Sequence, residues 1–139
     1  MKRPEAVLRD HVRQWLAKAE VDYRTAERLI ADADPIRESI AFHCQQAVEK
    51  YLKALLVSVQ VEFPKTHDLE ELLDLLIPVR PRLAADLEDV KVLSPFGVTI
   101  RYPGDFPNLL PGQERMAFEL AGRARAAVRA QLDPHPSED

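Results

Sequence analysis

The sequence contains very little cysteine and very little glycine. Among its 139 residues there are one cysteine and four glycines. A single thiol excludes an internal disulfide, so a reducing cytoplasm is the compartment we expect. The sequence also contains no glycine-rich phosphate-binding loop, no Ser-His-Asp signature and no paired-carboxylate motif, which removes the common signatures of hydrolases and of nucleotide hydrolysis.

Long apolar runs and an excess of basic residues are also missing. The longest apolar stretch, around 54–61, is interrupted by Ser58 and Gln60 and is too short for a membrane span. The first residues lack the apolar region of a signal peptide, so we expect no membrane association. The net charge of −4 argues against a broad nucleic-acid surface and leaves room only for a local basic patch.

Apolar residues recur at helical spacing through most of the chain, and no strand alternation is visible. The pattern predicts one all-α domain over residues 1–139, an antiparallel up-and-down bundle of about five helices. Its ordered core should span about 8–132, with a frayed tail at 133–139. The helices are predicted at 8–31, 35–59, 67–77, 81–93 and 113–132.

Turn and cap residues set these boundaries. Asp34 is expected to cap the second helix with Pro35 at its first position, and Thr66 or His67 should lie near the cap of the third. Pro81 should open the fourth helix. The segment 94–112 contains four prolines and three glycines and cannot form a continuous helix. Such a long loop in a compact domain is often functional.

The second predicted helix carries a narrow polar stripe in the sequence FHCQQAVEKYLKALL. His43, Gln46, Lys50 and Lys53 fall within an arc of about 80°. The lysines can pair with phosphate oxygens, and His43 can donate to phosphate or act as a general acid or base. Gln46 can contact a base edge or brace His43. The alternative is the solvated face of an amphipathic helix, with Gln45 and Gln46 satisfying the backbone of a loop.

Two short motifs add candidates. In THDL, Asp68 suits the positive end of a helix, and His67 either faces the cleft or packs its ring beside the loop. In RYP, Arg101 either grips phosphate or forms an ion pair with an acidic residue such as Glu49 or Asp22. Tyr102 either stacks on a base or buries its ring.

A metal site is not expected. His43, Cys44 and His67 lack a recognised zinc spacing and a fourth ligand. We therefore expect neither a metal nor another cofactor.

Three sequence motifs follow one another along the chain: FHCQQAVEKYLKALL, FPKTHDL and RYP. Trp15 and Asp22 lie upstream of them. Together they resemble the HEPN domain (higher eukaryotes and prokaryotes nucleotide-binding), from about Trp15 to the last helix. The resemblance implies an all-α bundle with an extra helix, commonly a homodimer. Prokaryotic members are often encoded beside a minimal nucleotidyltransferase, with which they form toxin–antitoxin or nucleotide-handling pairs.

The resemblance leaves three functional hypotheses. The first is a module that binds a nucleotide or RNA phosphate through His43, Gln46, Lys50, Lys53, His67, Asp68, Arg101 and Tyr102. The second is a metal-independent endoribonuclease toxin, because the wider superfamily uses an Arg-x(4–6)-His motif and five residues separate Arg37 from His43. In that reaction the 2′-hydroxyl attacks the adjacent phosphate while the histidine moves the proton. The third is a helical scaffold without a ligand.

Overall fold

The computed structural model describes residues 4–97 and 109–132. Within these ranges the chain is helical and has no strand, so the all-α prediction is confirmed. The elements are α1 (Glu5–Ile30), α2 (Arg37–Ser58), α3 (Leu69–Leu76), α4 (Pro81–Asp86), a 3₁₀ helix (Glu88–Gly97) and α5 (Gln113–Leu132).

Helix α2 is the centre of the bundle. It packs against α1, α5, α3 and the 3₁₀ helix. Fourteen of its 22 residues are buried, including Gln45, Glu49 and Lys53. Buried polar groups must find partners because their desolvation is costly, so the partners of these three side chains define the interior polar network.

Contacts between named pairs fix the direction of α1 relative to α2. Trp15 meets Lys53, and Asp22 meets His43. The residue number on α2 therefore falls as the number on α1 rises, so the two helices are antiparallel. The short connection 31–36 allows this arrangement.

Helix α5 is antiparallel to α1 as well. Tyr23 stacks on Phe118 with ring centroids 5.1 Å apart, and Glu20 pairs with Arg125 further along α5. Since α1 is antiparallel to both neighbours, α2 and α5 run in the same direction. The segment containing α3, α4 and the 3₁₀ helix returns the chain between them, as an up-and-down bundle requires.

The start of α2 differs from the prediction. The helix begins at Arg37, two residues later than expected, and Ile36 is the N-cap without a side-chain hydrogen bond. Asp34 does not cap α2; its backbone amide donates instead to Asp32 Oδ1 at 2.9 Å. The carboxylate of Asp32 thus closes a local turn that competes with helix initiation.

The start of α3 also differs. Asp68 is the N-cap, where its carboxylate accepts from the Glu70 amide at 3.0 Å. Thr66, which was expected near the cap, accepts from the Asp68 amide at 3.1 Å and closes the preceding turn. The cap prediction was therefore wrong by one or two residues, and α3 starts at Leu69 rather than at residue 67.

The fourth predicted helix, 81–93, is divided into α4 and the 3₁₀ helix, which continues to Gly97 and includes Pro95. Leu87, which immediately precedes the 3₁₀ helix, and Val90 and Leu93 within it are buried at intervals of three. This spacing puts one face of a 3₁₀ helix, which has three residues per turn, against α2. The first residues of the proline-rich segment are therefore helical.

The bounds of α5 and the start of α1 can be compared directly with the prediction. Helix α5 has the predicted bounds, and α1 begins three residues before the predicted start. The predicted tail 133–139 and the middle of the proline-rich segment, 98–108, lie outside the described residues. Among the helices of the described ranges, none has the length and apolarity to cross a membrane.

Candidate functional site

Asp22 is a nearly buried carboxylate on α1 that holds two side chains of α2. Its Oδ1 accepts from His43 Nδ1 at 2.9 Å, and its Oδ2 lies 2.5 Å from Lys50 Nζ. His43 and Lys50 are seven residues apart, about two helical turns, so they project from the same face of α2. We call these three residues the Asp22 cluster.

The donors of the Asp22 cluster remain accessible. The side chain of His43 is 26% exposed and that of Lys50 is 22% exposed. Because Nδ1 of His43 is bound to Asp22, its Nε2 is left for another partner, and the Lys50 ammonium group retains further protons. When His43 is protonated, the cluster can therefore offer two donors to one anionic group.

A second cluster lies around Glu49, which is almost completely buried in α2. Its Oε2 accepts from Lys53 Nζ at 3.0 Å, and its Oε1 accepts from His67 Nδ1 at 2.9 Å. Gln45 Nε2 also contacts Oε1, at 3.3 Å. We call Glu49, Lys53 and His67 the Glu49 cluster.

Lys53 lies inside the bundle, where its side chain is only 7% exposed. Its ammonium group is 5.4 Å from the ring centroid of Trp15 and 5.7 Å from that of Phe63. The two rings meet edge to face with centroids 6.2 Å apart. Ion pairing to Glu49 and cation–π contacts thus account for Lys53, which is placed away from the accessible part of the predicted stripe.

Two glutamines of α2 form a hydrogen-bond chain with the Glu49 cluster. Gln46 Nε2 donates to Gln45 Oε1 at 2.8 Å. The fully buried Gln45 in turn donates to the backbone carbonyl of His67 at 3.0 Å and contacts Glu49. Gln46, which was a predicted site residue, therefore sits half-buried on α2 between the two clusters with its amide orientation fixed by Gln45.

The remaining predicted binding residues divide into two groups. The carboxylate of Asp68 is exposed but is occupied by the amide of Glu70 as the cap of α3. Arg101 and Tyr102 lie outside the described residues. Their roles, and the cleft that Arg101 was expected to share with Lys50, stay predictions.

The predicted catalytic pair has separate partners in the structure. Arg37 Nε lies 3.4 Å from Glu114 Oε2 on α5, whereas His43 bonds to Asp22 on α1. Six residues correspond to about 120° around a helix, which explains why the two side chains leave α2 in different directions. Catalysis by Arg37 together with His43 stays a prediction.

A third polar cluster, on the other side of α1, joins three helices. Glu20 accepts from Arg125 Nε at 2.7 Å and Nη2 at 2.9 Å, and also from the Tyr51 hydroxyl. The Arg125 hydrogen bond holds the pKa of the Glu20 carboxyl below its usual range. Glu20 and Asp22 are about 160° apart around α1, so this cluster is separate from the candidate site.

Sequence reasoning underestimated Asp22, Glu49 and Gln45. As site groups, the two acids were considered only as partners of Arg101, and Gln45 was considered only as a partner of loop backbone. A signal was present in the spacing: Asp22 lies between Ala19 and Ala26 at helical intervals, and both alanines are fully buried. An acid on the core face of a helix needs a cationic partner, and Lys50 and His43 supply donors for it.

The fold and the clusters define a class: an all-α bundle with two buried carboxylates, Asp22 on α1 and Glu49 on the central helix α2, each bonded to a lysine and a histidine. Comparison with protein-family models gives a match to the HEPN domain over residues 12–132. The chain belongs to the HEPN domain family, which is linked to nucleotide and RNA binding. Searches of curated proteins and of solved structures gave no match.

Proposed function

We propose that this chain is a nucleotide- or RNA-phosphate-binding module and that the Asp22 cluster contacts the phosphate. The observation that carries the proposal is the pairing of His43 and Lys50 with one nearly buried carboxylate. Asp22 fixes both donors before a ligand arrives, which lowers the ordering cost of binding. Both side chains are partly exposed.

The local charge suits one phosphate. Asp22 and Lys50 neutralise each other, so protonation of His43 gives the cluster a net charge of +1. The chain as a whole carries −4, so attraction of an anion has to be short-range. Hydrogen bonds from charged donors to phosphate supply such attraction, and the amide of Gln46 offers a further contact.

We also propose that the module works with a minimal nucleotidyltransferase, in a toxin–antitoxin-like or nucleotide-handling pair. Membership of the HEPN family supports this part of the proposal. Inspection of the adjacent genes followed by co-expression tests it: a nucleotidyltransferase that co-purifies with the chain is the expected result. A neighbourhood without such a gene would remove the reason for proposing this partner.

The ribonuclease is the second candidate, because His43 has its Nδ1 bound to Asp22 and an unassigned Nε2 that can transfer a proton. Incubation of pure protein with RNA and a chelator separates the candidates. A binding module leaves the RNA intact. Cleavage that is lost in both Arg37→Ala and His43→Ala would establish the enzyme instead.

Calorimetric titration of mono- and dinucleotides tests the phosphate site. Lys50→Ala should weaken binding by about 1–3 kcal/mol, the range for a charge-assisted hydrogen bond. Arg24→Ala is the matched control: it removes the same charge from an exposed position about 160° from Asp22 around α1. Circular dichroism confirms that each variant is folded. Absence of binding to the wild type, or equal binding by Lys50→Ala, would contradict the proposal.

A further inference from the structure

The two clusters that α2 shares with its neighbours have the same composition. In each, a carboxylate accepts from a lysine ammonium group and from Nδ1 of a histidine, and both histidine distances are 2.9 Å. The Asp22 cluster is the proposed phosphate site, whereas the Glu49 cluster has no assigned role beyond packing. Their members are Asp22, Lys50 and His43 in one, and Glu49, Lys53 and His67 in the other.

The clusters differ in which group reaches solvent. In the Glu49 cluster the carboxylate and the lysine are buried, while the side chain of His67 is 74% exposed. Burial of Lys53 leaves the His67 imidazole as the accessible part of the cluster. An exposed side chain usually moves among rotamers, but here the bond to Glu49 fixes the ring.

The bond to Glu49 also decides which ring nitrogen of His67 is available to a ligand. A carboxylate accepts, so Nδ1 of His67 is the donor and Nε2 is left free. Glu49 and Lys53 neutralise each other, so protonation of Nε2 leaves this cluster with one positive charge. The neighbouring carboxylate of Asp68 is occupied by the α3 cap, and Lys65 is an exposed cation two residues before His67.

The members of the two clusters that belong to α2 lie on one half of that helix. Around α2, Gln46 lies between the position of His43 and that of Glu49, because the three positions fall within an arc of about 120°. Gln46 bonds to Gln45, and Gln45 bonds to the carbonyl of His67. This hydrogen-bond chain ties the backbone carbonyl of His67 to α2.

We propose that His67 is a second phosphate contact of this site, with Glu49 as its positioning residue. The ligand class is then a compound with two phosphate groups, either a nucleoside diphosphate or a 5′-phosphorylated dinucleotide, rather than a nucleoside monophosphate. This inference rests on the proposed function of the Asp22 cluster. The charge of the clusters suits a ligand with two phosphate groups, because the two clusters together offer two positive charges when both imidazoles are protonated.

Calorimetry at about pH 6 tests the inference. The probes are adenosine monophosphate, adenosine diphosphate and 5′-phosphorylated diadenylate. Wild type should bind at least one of the two-phosphate probes about tenfold or more tightly than the monophosphate, as one added charge-assisted contact implies. The probe that shows the gain identifies whether the phosphates are adjacent or separated by a nucleoside.

His67→Ala should remove this gain and leave monophosphate binding unchanged. Lys65→Ala is the control, because it removes a nearby exposed cation that lacks the bond to Glu49. In long-range ¹H–¹⁵N spectra, His67 Nε2 should shift with a two-phosphate probe and stay unchanged with the monophosphate. A structural role alone would give no such shift.

Failure of the second contact and failure of the phosphate site itself give different results. Equal wild-type affinity for all three probes, or a gain that survives in His67→Ala, would overturn the second contact and leave the phosphate site standing. Absence of binding to any probe would overturn both proposals.

Discussion

Gly97, the last residue of the 3₁₀ helix, lies directly against the side chain of Gln45. A Cβ atom on Gly97 would stand 2.5 Å from Gln45 Cδ and from Oε1, closer than side-chain atoms normally approach. Gln45 is fully buried and bonds to Gln46, Glu49 and the His67 carbonyl. Its amide cannot move aside without losing these bonds, so the absence of a side chain at Gly97 lets the 3₁₀ helix close over the candidate site.

Gly97→Ala should therefore destabilise the protein, by about 1–3 kcal/mol, the usual cost of overpacking or of a lost buried hydrogen bond. Urea unfolding measures the change. The same substitution in a Gln45→Ala background should cost clearly less, because the crowded amide is gone. An equal cost in both backgrounds would show that the contact between Gly97 and Gln45 is not its source.

Cys44 should be chemically inert in the folded protein. It is fully buried in α2, and burial raises the pKa of its thiol to about 12. The thiolate is the reactive species, so a thiol-specific chromogenic reagent should react slowly with native protein and rapidly in denaturant. Complete reaction of the native protein within seconds would contradict the buried position.

Glu20 should contribute stability at neutral pH that is lost in acid. Its hydrogen bond with Arg125 lowers its pKa from the usual 4.5, so the folded state favours the ionised form. The contribution is therefore fully present above the unfolded-state pKa and disappears as the pH falls through the lowered folded-state value.

Urea unfolding of Glu20→Gln at a series of pH values measures this effect. The variant should be less stable than wild type at pH 7, and the difference should shrink below about pH 4.5. Glu27→Gln, at an exposed position two turns along α1, is the control and should show little difference at any pH. A difference for Glu20→Gln that stays constant into acid would contradict the role of its charge.

The protein is predicted to form a homodimer. Ile36 and Leu110 are more than 60% exposed, and Ile36 borders an open groove of about 370 Å³ lined also by Arg37, Glu38 and Leu109. Light scattering at micromolar concentration should give twice the chain mass of 15.8 kDa. Ile36→Asp should weaken the dimer more than Val21→Asp, which changes an equally exposed residue on α1. A monomeric mass for the wild type would contradict the prediction.

Much of the fold could be read from the sequence. Helical periodicity and prolines located the long helices, and the bounds of α5 were predicted correctly. The starts of α2 and α3 were harder to predict, because the side chains of Asp32 and Thr66 close turns where a helix start was expected. The 3₁₀ helix was missed although Leu87, Val90 and Leu93 recur every three residues, since this spacing also fits one side of an α-helix.

The candidate site was only partly accessible from sequence. Helical spacing brought His43, Gln46, Lys50 and Lys53 to one side of α2 but could not tell which of them would be buried. That distinction depends on contacts between distant segments: Lys53 meets Trp15 and Phe63, whereas His43 and Lys50 meet Asp22. Pairings of this kind are set by how α1 and the segment before α3 pack on α2.

The salt dependence of binding to a short single-stranded RNA tests most directly whether Lys50 contacts a phosphate. Each neutralised phosphate contributes about 0.7 to the slope of log affinity against log salt. One or two contacts therefore predict a wild-type slope of about −0.7 to −1.4. Lys50→Ala should reduce its magnitude by about 0.7, and Arg24→Ala should leave it unchanged. A slope in Lys50→Ala equal to that of the wild type would contradict phosphate binding by the Asp22 cluster.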